Sequence, residues 1–184
     1  MGDRHAFRAR WHDYNEGIYF ITICSYKKSH IFGKIENDRF YPSELGEIIN
    51  EQIQLLPGFY NDVELLNYVV MPNHIHFVIA VGTRFIASAN PDTSNAMATN
   101  RLGCLKPPMH REATNDFHHN CRLATIIGAF KAGITRTART RLIASLSCWQ
   151  SRYYENIIRN QGSFDMIMAY IDNNIANWNN DCFY

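Results

Sequence analysis

The sequence predicts an α+β fold, a split β-α-β sheet with one more helix at its C-terminal end. Three observations carry this expectation. Apolar, β-branched runs occur at four places, two helical repeats separate them in the order β-α-β-β-α-β, and a third helical repeat follows. The 184 residues suit one domain spanning 1–184, and 46% hydrophobic against 19% charged residues describes a globular chain. No window approaches the ~18 apolar residues of a membrane span, and the Arg-containing N-terminus has no apolar signal core.

The first strand is Gly17 to Cys24, where Ile18, Tyr19, Phe20, Ile21, Thr22 and Ile23 are β-branched or aromatic. Pro42-Ser43 opens a helix with Leu45, Ile48, Ile49, Ile53 and Leu56 at helical spacing, and Pro57-Gly58 is expected to end it. Two apolar runs, Val63 to Met71 and His74 to Val81, flank Pro72-Asn73 and predict a hairpin. From Gly82 to about His118 no period survives, which predicts a long flexible loop. Helical spacing resumes at Leu123, Ile126, Ile127, Phe130 and Ile134. Trp149 to Ile158 reads as a strand. Ser163 caps a last helix whose apolar face runs through Phe164, Ile167, Met168, Ile171, Ile175 and Trp178. The first six elements match the ferredoxin-like arrangement.

The formal charge of +1 conceals an asymmetry. Arg101 to Arg159 holds ten basic and three acidic residues, net +7, and the remainder is net −6. Such a block suits a polyanionic partner, and it equally suits a solvated helix face. The five cysteines form no C-x-x-C pair, so neither a zinc knuckle nor a redox motif is expected, and a reduced, cytoplasmic setting fits.

His74-Ile75-His76 begins the second hairpin strand. Alternation puts both imidazoles on one face and Ile75, Phe77 and Ile79 on the other. Two imidazoles so placed can share one divalent cation with coordination positions left open, and they also describe two half-exposed strand histidines.

Tyr68-Val69-Val70-Met71-Pro72-Asn73-His74-Ile75-His76-Phe77 resembles the signature of the HUH single-tyrosine transposases, particularly the REP-associated group. Gly17 to Cys24 is similar to that group's first strand. So are Phe130-Lys131, the segment from Trp149 to Asn160, and Tyr170 to Trp178. The likeness runs from about Tyr14 to the C-terminal end, loosest in the 82–118 loop.

The resemblance implies a tyrosine nucleophile on a helix facing the histidines, with a polar metal ligand one turn on. Tyr170 and Asn174 stand in that relation, ~40° apart around a helix axis. Tyr68, Tyr153 and Tyr154 are the competing phenols. Ile175 follows Asn174 where related sequences commonly carry proline, which leaves this helix free to continue. The resemblance further implies a divalent ion on His74, His76 and Asn174, and attack by Tyr170 on single-stranded or hairpin DNA; oxygen and nitrogen ligands suit Mg²⁺ or Mn²⁺, and the spacing does not exclude zinc. The product is a 5′-phosphotyrosine that a second DNA end can reverse without ATP. Relatives include dimers, so a homodimer is one expected arrangement. Lys131, Arg136, Arg139, Arg141, Arg152 and Arg159 become candidate phosphate contacts. Trp149, Tyr153 and Tyr154 become candidates for base stacking or for the core. A non-cutting DNA- or RNA-binding module and a small metal-dependent hydrolase are the rival readings.

Overall fold

The computed structural model describes residues 12–82, 121–141 and 148–181. Nearly all of the predicted 82–118 loop, and the cysteines at 104 and 182, lie outside them. The elements in chain order are β1 (Gly17–Cys24), β2 (Gly33–Glu36), β3 (Arg39–Pro42), α1 (Glu44–Gln54), α2 (Leu56–Phe59), β4 (Val63–Val70), β5 (His74–Val81), α3 (Arg122–Thr140), β6 (Tyr154–Ile158) and α4 (Gln161–Asp172). Single 3₁₀ turns lie at Tyr26–Lys28 and Trp178–Asn180.

The main sheet has the order β4-β5-β1-β6 with every pair antiparallel, the strand order of a split β-α-β fold. Its register places Thr22 opposite His76 and Cys24 opposite His74, so both histidines sit where β1 ends and β5 begins. Helices cover both faces. On one, α1 and α3 pack over Tyr19, Ile21, Ile23, Ile75, Phe77, Ile79 and Val81. On the other, α4 and the segment after it cover Val69, Val78, Ile158, Ile18 and Phe20. β5 therefore changes partner with every residue, as its alternation requires.

Several boundaries differ from expectation. Ser43 does cap α1, its hydroxyl accepting from Gly46 N at 3.1 Å. Pro57 does not end the helical path: it enters the first turn of the short α2, where its missing N–H costs nothing. Trp149 makes only an isolated bridge with Ser25, and β6 starts at Tyr154. The β2–β3 hairpin was not expected. It turns at Asn37 and Asp38, both at positive φ (53° and 56°), the backbone a tight primed turn demands and Asn and Asp tolerate.

The last helix departs most. Asn160, not Ser163, is its N-cap, with the side-chain oxygen accepting from Ser163 N at 2.8 Å. It ends at Asp172 rather than continuing to Trp178. There Asn67 Nδ2 donates to Asp172 Oδ1 at 2.8 Å, and Asn173 Nδ2 donates back to the Ala169 carbonyl at 2.7 Å. The same carbonyl accepts the Asn173 backbone N–H at 3.1 Å, and the helix closes there without proline at position 175. Asn174 is thus on a turn, its N–H bonded to Ile171 O at 3.2 Å, and not on the helix of Tyr170.

Candidate metal and nucleophile site

His74 and His76 are 0% and 1% exposed. Burial pushes both imidazoles down to about 3, with Lys28 adding to the effect at His74 and His74 itself at His76. Both rings are therefore neutral at pH 7, the form that binds a cation. Each is oriented through Nδ1. His74 Nδ1 lies 2.8 Å from Asn73 Oδ1, an oxygen that can only accept, so the proton is on Nδ1 and the lone pair on Nε2. Asn73 Nδ2 donates to Lys28 O at 3.3 Å, which fixes which way that amide points. His76 Nδ1 lies 2.7 Å from Thr22 Oγ1. Sequence reasoning gave Asn73 and Thr22 no part in the site, yet their side chains orient the two imidazoles.

Tyr170 projects from α4 to the same place. Its hydroxyl lies 3.2 Å from His76 Nε2 and 3.4 Å from Asp181 Oδ2. Phe20 braces both rings, stacked on His76 at 5.1 Å and edge-on to Tyr170 at 6.1 Å. At 41% exposure the phenol touches the site and remains open to solvent. The rival phenols are placed otherwise. Tyr68 lies on the α1 side, with its hydroxyl bonded to Asn50 and Gln54. Tyr153 packs against the α1/α3 core. Tyr154 pairs with Thr22 on β6, two strands from His76, and is 53% exposed.

Asp181 is the second omission of sequence reasoning. Its Oδ2 is 3.8 Å from His74 Nε2, and its side chain is 2% exposed. One ligand atom from each of His74, His76 and Asp181 lies within 4.8 Å of the others. Two imidazole nitrogens and a carboxylate oxygen are a fitting donor set for a divalent transition ion or Mg²⁺. Asn174 is 2% exposed, and its Oδ1 is buried with no hydrogen-bond partner among the described residues. A buried carbonyl left this way is costly, and a cation would satisfy it.

The basic candidates scatter. Arg136 and Arg139 line a groove of about 490 Å³ with Thr135, Trp149 and Gln150. Lys131 is half-buried, and its ammonium donates to the carbonyls of Gln150 at 2.6 Å and Ser151 at 3.2 Å, tying α3 to that segment. Arg141 approaches Glu51 on α1 at 3.9 Å, and Arg152 is exposed just before β6. Arg159 lies beside Gly17 and Ile18, at the end of the sheet opposite His74. Trp149 is 5% exposed and packs on Phe32 and Phe130, so its ring belongs to the core. Lys27 and Lys28, directly after β1, line a recess with Tyr26, Trp149 and Gln150. Their position next to the strand that pairs with the histidines was the available signal.

No family model matches the chain. An uncharacterized protein of Haemophilus influenzae is 31% identical over 182 residues, which cover 98% of this chain and 93% of that protein. Among solved structures, a REP-associated tyrosine transposase bound to a REP hairpin aligns with a TM-score of 0.50 at 15% identity, covering 94% of this chain and 74% of that one. The chain thus belongs to the family of the Haemophilus influenzae protein, and it shares the fold of the solved REP-associated tyrosine transposase.

Proposed function

We propose that this protein is a metal-dependent DNA strand transferase that cleaves and rejoins single-stranded DNA through a phosphotyrosine on Tyr170. The observation that carries the reading is the phenolic hydroxyl 3.2 Å from His76 Nε2, beside a three-residue donor set. The similar transposase was solved on a REP hairpin, which supports hairpin or single-stranded DNA as the substrate class.

His74 and His76, with Asn174 as the expected third ligand, would hold Mg²⁺ or Mn²⁺. When bound, the ion polarises a non-bridging phosphate oxygen and offsets charge in the transition state. The chain's own residues do the rest. Asn73 and Thr22 keep the imidazoles in register. Phe20 sets the angle of the phenol. A phenol titrates near 10 and needs a proton acceptor at pH 7. Asp181 Oδ2, 3.4 Å from the hydroxyl, would accept that proton. The tyrosine oxygen forms a bond to phosphorus, the bond from phosphorus to the 3′-oxygen breaks, and that oxygen leaves as a 3′-hydroxyl after taking a proton. The phosphodiester energy is kept in the protein–DNA bond, so rejoining needs no nucleotide. Arg136, Arg139, Lys27 and Lys28 would hold the strand's phosphates on the flank of the site.

The test is a denaturing gel of labelled single-stranded hairpin DNA incubated with protein and Mg²⁺. The wild type should give a covalent band, and Tyr170→Phe should lower its yield by about 10³-fold or more. Undiminished adduct in Tyr170→Phe removes the assignment, and strand binding with no adduct in the wild type leaves a binding module.

A further inference from the structure

The 173–181 segment folds back after α4 and ends in a carboxylate against the histidines. Trp178, 6% exposed, seats it: its ring lies 6.1 Å from His74 at an interplanar angle of 30°, and 5.5 Å from His30. The 3₁₀ turn at Trp178–Asn180 then closes with Asp181 N donating to Trp178 O at 3.0 Å, which aims the Asp181 side chain inward. Asp181 and Tyr170 are 11 residues apart and arrive from different turns, so their meeting is a product of the fold rather than of helical spacing.

We infer that Asp181 is a protein ligand of the cation at His74 and His76, and that the bound cation fastens the 173–181 segment onto the sheet. The inference rests on the metal-dependent reading above and adds a charged ligand to it. Two arguments support it. The Asp181 oxygen and the two imidazole nitrogens already lie within 4.8 Å of one another, so one ion can reach all three with small side-chain adjustments. A carboxylate has lone pairs enough to bind an ion and still accept the Tyr170 hydroxyl. The carboxylate also lowers the site's charge by one, favouring a hard divalent ion over one selected by imidazole alone.

The experiment is calorimetric titration of Mn²⁺ alone into the full chain, without DNA, for the wild type, Asp181→Asn, Asn174→Ala and the His74→Ala/His76→Ala pair. Asp181→Asn preserves size and removes the charge, and circular dichroism checks that it folds. It should weaken Mn²⁺ binding tenfold or more, and Mn²⁺ should slow amide exchange across 173–181 in the wild type but not in Asp181→Asn. Weakening of less than tenfold, or segment protection unchanged by the substitution, overturns the inference. The strand-transfer reading survives that result if the histidine pair still abolishes Mn²⁺ binding and wild-type adduct still forms. Mn²⁺ binding that survives loss of both histidines overturns both.

Discussion

On β5, Ile75, Phe77 and Ile79 enter the α1/α3 side of the sheet while His74, His76 and Val78 enter the α4 side, and the two sides are packed by different rules. The first is continuous hydrocarbon and aromatic surface. The second begins that way at Val78 and Ile158 and turns polar toward the histidines. The polar residues buried as whole residues among those described are Thr22, Ser25, Asn73, His74, His76 and Asn174, and the Asp181 side chain, 2% exposed, joins them. Strand pairing or hydrogen bonds join the first five, and Asn174 sits on the turn after Tyr170's helix. Burying polar atoms stabilises little even when they are paired, so a core that gathers them at one end is organised for chemistry there.

The difference should be most visible in acid. The imidazoles of His74 and His76 titrate at about 3 in the folded chain against 6.5 when unfolded. Protons therefore load the unfolded state first. Stability is complete above pH 6.5 and falls as pH drops toward 3, with about 4 kcal/mol lost from the pair between pH 7 and pH 5. The Asp62 carboxyl, held below its ordinary range by the Arg122 guanidinium, loses its contribution only at lower pH, outside this window. Urea denaturation midpoints of the metal-free protein in chelator, taken at pH 7 and pH 5, measure this. A flat profile would mean that water reaches the imidazoles freely.

The hydrocarbon side answers to a different perturbation. Phe77 is fully buried, with its ring 5.9 Å from that of Phe130. Phe77→Ala should cost about 3–5 kcal/mol of stability through lost burial and a residual cavity. Under conditions where the variant is still folded, Mn²⁺ affinity should stay within about twofold, because the residue faces away from the site. A large loss of metal affinity in that variant would show that the two faces are coupled through β5.

How far the sequence foretold these two faces follows from the range of the interactions involved. Alternation along 74–81 is a local property, so the division of β5 between faces was legible, as were β1, β4, α1 and α3. Tyr170 was legible through the resemblance and not through its own spacing, since a helical tyrosine has many other uses. The end of α4 was misread because nothing at positions 173–175 is a strong breaker. At that end Asn173 turns back on Ala169 and Asn67 holds Asp172, and the second of these contacts spans 105 residues. Asp181 was invisible for the same reason: it lies past the last apolar periodic position and reaches His74 only because the chain reverses. The β2–β3 hairpin does carry a local signal, in Asn37-Asp38.

The finest distinction between the faces lies in what holds a side chain in place. Ile75 is held by contact on all sides and needs no directional bond. His74, its neighbour, has a directional hold: Asn73 Oδ1 accepts from Nδ1 at 2.8 Å, and Asn73 Nδ2 is itself anchored on Lys28 O at 3.3 Å. Removing the amide in Asn73→Ala frees the ring to rotate and to shift its proton to Nε2, the atom that must carry the lone pair. Packing on Trp178 remains, so the fold should lose only about 1–2 kcal/mol. Mn²⁺ affinity should fall about 10- to 100-fold, the usual effect of deleting a metal ligand's outer partner. Calorimetry with Mn²⁺ reads the affinity, and histidine ¹⁵N chemical shifts of the metal-free protein read the tautomer. If Asn73→Ala leaves His74 protonated on Nδ1 and the affinity unchanged, the ring is held by packing alone. The two faces of β5 would then follow one rule instead of two.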